Sequence, residues 1–316
     1  MIKKCVWLGL VFVILLTACT KNTNNIGIYA LVVGAGRGKL LFGHRVVYAV
    51  DERGSVLNLD ILERLGWDTE WSPDGQWIVH RNINLGDNFV DIYLMHADNN
   101  DQTVRLTYSA GSYAPTWSPD GSQIAFYAYD EKSRDNAIYL LNVECVLRGE
   151  NCTPKPTFLI PGDDPDWSPD GRKMVYRDAS KNEIYVVDIY NPTEKFKVSQ
   201  GLSLCHSPQW SPDGTKIGFV CNYTMYSVDS NGENLVNFGI QGLYLKWSPD
   251  GKKMAFIGTE ALDPNLGQVL DVEGMITSTA VFIMDTDGTN ITRITKRNDE
   301  SIGWFTWIPT NSMETK

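Results

Sequence analysis

One pentapeptide constrains this chain more than anything else in it. Trp-Ser-Pro-Asp-Gly occurs at 71–75, 117–121, 167–171, 210–214 and 247–251. Successive copies stand 37 to 50 residues apart, and Trp307 follows 60 residues after Trp247. Self-similarity at such a period means that one supersecondary unit is repeated around or along an axis. In the second copy, residues 112–117 can extend and 124–127 are a β-rich run, so Ser118-Pro119-Asp120-Gly121 joins two strands. Pro119 presets φ for the first central turn position, Asp120 tolerates the second, and Gly121 supplies the positive φ that follows. Residues 137–143 and 158–160 read as two more strands, and the other copies repeat the order. Each repeat is therefore a four-stranded unit.

A sheet of that size cannot bury both faces alone, so neighbouring repeats stack, and radial closure makes a propeller. Trp71, Trp117, Trp167, Trp210 and Trp247, with Trp307 in a degenerate last copy, read as core residues wedged between blades. Their identical placement in every repeat is a packing demand. The ends supply strand material too: 39–42, 46–51 and 56–59 at one terminus, 304–309 at the other. Joined, they make a blade that leaves no free edge strand. The expectation is an all-β, six-bladed propeller of four-stranded blades over residues 28–309. One blade is closed by strands from both termini, and 310–316 form a tail.

The motif turn, followed by Ile-Ala-Phe-like and Ile-Tyr-Val-Met-Asp-like strands, resembles the WD-type repeat of the TolB family of bacterial propellers. The resemblance covers nearly the whole chain after its leader. It implies a protein-binding scaffold of the cell envelope. Family members with an α/β domain ahead of the propeller differ from this chain, which has no room for one, so their individual partners are not implied.

Lys3 and Lys4 precede an apolar run over 6–16, 11 residues long, where a bilayer span needs about 20. Residues 1–18 read as a secretory signal. Leu16-Thr17-Ala18-Cys19 resembles the lipobox of bacterial lipoproteins, which implies lipidation at Cys19 and a polar tether over 19–27. The expectation is an exported protein, held to a membrane by lipid on the extracytoplasmic side. The net charge of −10 falls to −12 once Lys3 and Lys4 leave with the leader, which disfavours nucleic acid as a partner. In an exported domain Cys145 with Cys152, and Cys205 with Cys221, are candidate disulfides; four buried thiols are the alternative.

Chemistry is hard to find. His44, His80, His96 and His206 stand at unrelated positions of their repeats, and no Gly-x-Ser-x-Gly elbow is present. Residues 34–39 have neither the spacing nor the following helix of a phosphate loop. The segments 229–234 and 285–290 carry Gly at the fourth position, not the sixth of a calcium loop, and read as hairpin turns. We expect no catalytic residues, no metal and no cofactor.

Binding is the more productive reading. The face opposite the motif turns carries irregular loops, as functional surfaces do. The longest, 258–279, contains Leu262, Leu266, Leu270 and Met275, and either packs on the propeller or docks a partner. Around it should lie Asp130, Asp163, Asp164, Tyr113 and Tyr129, with Asp166, Tyr223 and Tyr244. The sequence thus points to a monomeric scaffold for an envelope protein or peptide. A carbohydrate- or peptide-processing enzyme with a site at the channel, or a solute-binding lipoprotein, are the alternatives.

Overall fold

Ser-Pro-Asp-Gly closes the first hairpin of every repeat through one set of bonds. In the second copy the Gly121 N–H donates to the Ser118 carbonyl at 2.9 Å, and the Gln123 N–H to Ser118 Oγ at 2.9 Å. The Ser118 hydroxyl donates to Asp120 Oδ1 at 2.6 Å, which also takes the Ser122 N–H at 3.0 Å. The serine–aspartate bond recurs in all five copies. Gly121 has φ 71°, and the other four motif glycines lie between 68° and 72°. A Cβ would strain that backbone, hence the glycine.

A computed structural model describes residues 30–35, 46–51, 56–57, 67–83, 86, 89–97, 103–108, 111–259, 279–295 and 302–308. Five blades grow from the five turns. The first comprises Trp67–Trp71, Trp77–Ile83, Val90–His96 and Thr103–Arg105, and the second Ser112–Trp117, Gln123–Asp130, Asp135–Asn142 and Thr157–Pro161. The third comprises Asp163–Trp167, Lys173–Asp178, Glu183–Asp188 and Lys195–Lys197. The fourth is Cys205–Trp210, Lys216–Cys221, Thr224–Asp229 and Val236–Gln241, and the fifth Leu243–Trp247, Lys253–Thr259, Thr279–Asp285 and Thr292–Arg293. Each is an antiparallel meander in chain order, its first strand nearest the ring axis.

The expectation of six blades needs correcting to five, each grown from a motif turn, with a terminal sheet of another kind beside them. That terminal sheet runs in the order Ile302–Ile308, Ala30–Ala35, Val46–Asp51, Val56–Leu57. Its second strand is Ala30–Ala35, not the expected 39–42, which lies outside the described residues. Leu31-Val32-Val33 is richer in β-branched side chains than Leu40-Leu41, and such residues fit a pleated surface better. The N-terminal segment lacks the motif turn, so no hairpin supplies its innermost strand, and the chain's other end fills that place. The terminal sheet touches Thr279–Asp285 of the fifth blade and Trp67–Trp71 of the first, so neighbour contacts continue around the ring.

The core lies between blades. Trp117 packs with Val79, Ile92 and Leu94 of the blade before it, and Trp210 with Val175, Ile184 and Val186 of the third. All five motif tryptophans are buried, while Trp307 is partly so. Buried rings of this size dominate core energetics. Cys145 and Cys152 are joined in the insertion after the third strand of the second blade. That insertion contains a short helix, Glu144–Leu147, which the sequence reading did not include; Val146 and Leu147 anchor it on the same core. Cys205 and Cys221 bridge the first two strands of the fourth blade at directly paired positions. In the segment 285–290, Asp285 is engaged by Lys253 and Asn290, and in 229–234 Asp229 by Lys216 and Asn234, as turns require.

Candidate functional site in the axial channel

The inner strands share a second, less visible repeat. Each breaks register with its neighbour just before the motif tryptophan. In each, the residue three places before that tryptophan is left-handed: Asp68 (φ 51°), Ala114 (45°), Asp164 (48°), Ser207 (51°) and Tyr244 (50°). Non-glycine residues pay for this conformation, Ala and Tyr more than Asp. The bulge turns these side chains toward the axis, where they line a cavity of about 190 Å³. Arg81, Tyr113, Tyr127, Lys246 and Phe305 complete much of its wall.

Two acidic positions latch one blade to the next. Asp68 accepts the Ala114 N–H at 3.4 Å, and Glu70 Oε1 accepts the Trp117 N–H at 3.0 Å and the Thr116 hydroxyl at 3.1 Å. Two blades on the pattern repeats, with Asp164 taking the Ser207 N–H at 3.2 Å and Asp166 the Trp210 N–H at 2.7 Å. Arg81 pairs with Asp68 at 2.6 Å and lies 5.3 Å from the Tyr113 ring centre. Arg177, its counterpart in the third blade, instead grips buried Asp163 with two 2.6 Å bonds. Lys246 comes within 3.9 Å of Glu70.

Asp164 and Asp166 titrate abnormally. Both Asp164 and Asp166 keep some accessible surface but sit deep within the ring. Burial first, then repulsion from Asp163, pushes Asp164 up to about 6. Burial pushes Asp166 up to about 8 against its bond from Trp210, with Glu70 adding repulsion. Burial and then Asp164 hold the Tyr127 and Tyr244 phenols above their usual range, so they stay neutral donors. Burial, then Arg177, lowers His206. Among the described residues no group of three or more His, Cys, Asp or Glu is arranged to hold a metal ion.

The binding residues expected from sequence separate here. Asp164 and Tyr113 line the cavity, and Asp163 stands behind it against Arg177. Tyr129 and Asp130 lie farther out, at the hairpin between the second and third strands of their blade, where Asp130 takes the Ser133 N–H at 2.8 Å and the Tyr139 hydroxyl at 3.1 Å. Leu262, Leu266, Leu270, Met275 and Cys19 fall outside the described residues. Asp68, Glu70, Arg81, Tyr127, Arg177 and Lys246 were missed. The signal for the acids was their constant offset, three and one residues before the motif tryptophan.

The mouth of the channel has its own character. Phe89, Tyr108, Tyr129, Leu204, Tyr223 and Tyr244 are exposed. All six lie at the ends of the blades away from the motif turns, in links between blades, in hairpins or at a strand start. The propeller thus carries an axial cavity lined by Asp68, Glu70, Asp164 and three tyrosines, Tyr113, Tyr127 and Tyr244.

Comparison with known proteins narrows the class. The family model described as the TolB beta propeller domain matches residues 90–275, and the chain belongs to that family. An uncharacterized protein of Agrobacterium fabrum is 29% identical over 196 residues, 58% of this chain and 64% of that protein. The Tol-Pal system protein TolB of Alcanivorax borkumensis is 33% identical over 78 residues, 25% of this chain. The chain thus spans 64% and 17% of the lengths of these two relatives. Among solved structures, TolB from Acinetobacter baumannii superposes with a TM-score of 0.68 at 18% identity, covering 89% of this chain and 67% of that one. A putative TolB from Agrobacterium tumefaciens gives 0.59 at 20% identity, covering 87% and 90%. At such identities the two structures establish the fold alone.

Proposed function

We propose that this protein is a lipid-anchored, extracytoplasmic scaffold that binds an envelope protein or peptide through the channel-mouth face. One observation carries the reading: six of the twelve exposed large apolar residues among the described ones lie at that end of the blades, and one of them, Tyr244, lines the axial cavity. Aromatic side chains are enriched at protein interfaces, and apolar patches rimmed by polar groups mark them. Family membership supports the same role. Cys19 would carry the lipid, and the polar residues after it would hold the propeller clear of the membrane. Thr259 and Thr279 pair at the mouth end of their hairpin; residues 260–278, which join them, lie outside the described residues, and their apolar side chains are proposed as a further part of the surface.

Affinity capture from the producing cell's envelope tests this. Three baits are compared: the mature chain, one with residues 260–278 replaced by a short Gly-Ser turn, and one carrying Tyr129→Lys and Tyr223→Lys. A protein held by the first and lost by either variant supports the reading. Equal recovery by all three, from folded samples, overturns the assignment of the face. Detergent partitioning of the Cys19→Ala protein, compared with the unaltered chain, checks the anchor.

A further inference from the structure

We infer that the axial cavity takes one cationic side chain, a lysine or arginine presented by the bound partner, with its charge against Asp164 and its stem against Tyr127 and Tyr244. This rests on the protein-binding reading and adds the chemistry of the group that enters. The argument starts from two equivalent places in the repeat. In the first blade the left-handed aspartate, Asp68, is paired with Arg81, whose guanidinium also lies over Tyr113. That is a filled site, an acid and an aromatic wall holding a cation.

The third blade has the same aspartate and arginine, with His206 where Tyr113 stands in the first pairing, and its aspartate faces the cavity beside Tyr127 and Tyr244. Its arginine, Arg177, stands at the same offset from the motif tryptophan as Arg81, but the residue before the left-handed position is Asp163, not a tryptophan. Asp163 captures Arg177 through both of its oxygens. Asp164 is left with a backbone N–H and with no ion-pair partner among the described residues. Among the residues lining the cavity, Asp68, Glu70 and Asp164 face Arg81 and Lys246, so acids outnumber cations by one.

Tyr244 is the second independent observation. It holds a left-handed backbone that an aromatic residue adopts only at a cost, and the residue is 51% exposed. Faces of tyrosine rings attract cations. The cavity, about 190 Å³, is below the range of about 300–1,000 Å³ typical of whole small-molecule ligands. It suits a single long side chain. The raised titration of Asp164 agrees, since an arriving cation relieves the strain of ionising that carboxyl.

The test titrates the mature protein with the capped tripeptides acetyl-Gly-Lys-Gly-amide, its norleucine isostere and its glutamate analogue, followed by NMR. The lysine peptide should bind about tenfold more tightly than the norleucine one, the worth of one charged contact. Asp164→Asn should abolish that preference; Asn tolerates the left-handed backbone and keeps an acceptor for Ser207. Equal binding of lysine and norleucine peptides, no binding of either, or an unchanged preference in Asp164→Asn overturns the inference. If that variant does not fold, the unaltered protein decides: the preference must shrink between about pH 8 and about pH 5 as Asp164 takes up a proton, and a constant preference overturns the idea. An envelope protein captured equally by Asp164→Asn, without lysine selectivity, leaves the scaffold reading standing and removes only this one.

Discussion

The two ends of the propeller use aspartate in opposite ways. At the turn end Asp120, Asp170 and Asp213 are held below the ordinary carboxylate range, first by the motif serine's hydroxyl and then by backbone N–H groups. Inside the ring Asp164 and Asp166 are pushed up to about 6 and about 8, first by burial. The turn aspartate is the same in every motif blade because its partners are the motif serine and the backbone N–H immediately after the motif. The channel positions differ from blade to blade, as Asp68, Ala114, Asp164, Ser207 and Tyr244 show, although their backbone is the same. Uniform residues with satisfied bonds report packing. Varied residues on a costly shared backbone report recognition.

The hardest way to break this contrast is to attack the uniform part. Trp117→Ala should cost about 3–5 kcal/mol, the usual range for emptying a buried aromatic site, read as a shift of the urea midpoint. A loss under about 1 kcal/mol would mean that the blade interface repacks around the cavity left behind.

A pH series separates the two kinds of aspartate. A carboxyl raised in the folded state favours folding fully below its unfolded pKa and loses that advantage as pH climbs through the folded value; a lowered one does the reverse. Stability should therefore rise from strongly acid pH to about 4 as the turn carboxylates ionise, then decline toward about 8 as Asp164 and Asp166 ionise. Asp166→Asn, which keeps an acceptor for Trp210, should flatten much of the decline, by at least about 1 kcal/mol at pH 8, and leave the acid limb intact. A decline unchanged in that variant would take the titration away from Asp166.

The smallest effect should come from the recognition ring. Tyr244→Asn puts a residue that accepts a left-handed backbone where an aromatic now strains it, so stability should move by no more than about 0.5 kcal/mol. Binding at the channel mouth should fall. A large loss of stability instead would make Tyr244 a packing residue and dissolve the contrast.

How much was legible in the sequence follows the same division. The turn, the four-strand repeat and the buried tryptophans depend on neighbours within a few residues, so Trp-Ser-Pro-Asp-Gly announced them. The short helix at Glu144–Leu147 was not announced, because a core contact holds it and no periodic pattern does. Asp163, Asp164 and Tyr113 were found as polar and aromatic residues in irregular segments. Lys246 and Glu70 were not, because their partners stand on other blades, nor was Arg81, which pairs with Asp68 across its own hairpin and reaches Tyr113 of the next blade.

By itself, then, the sequence determined the repeating unit and its packing residue, through local turn chemistry and the recurrence of one motif. Only the tertiary structure decided that Ala30–Ala35 joins the C-terminal strand and that inner-strand bulges turn five unlike residues toward one axis. Only it decided that Arg177 answers to Asp163 and leaves Asp164 without an ion-pair partner among the described residues. The first two outcomes depend on segments a blade or more apart in the chain; the third lies within one hairpin but turns on which of two adjacent aspartates the arginine reaches, and no local pattern encodes that.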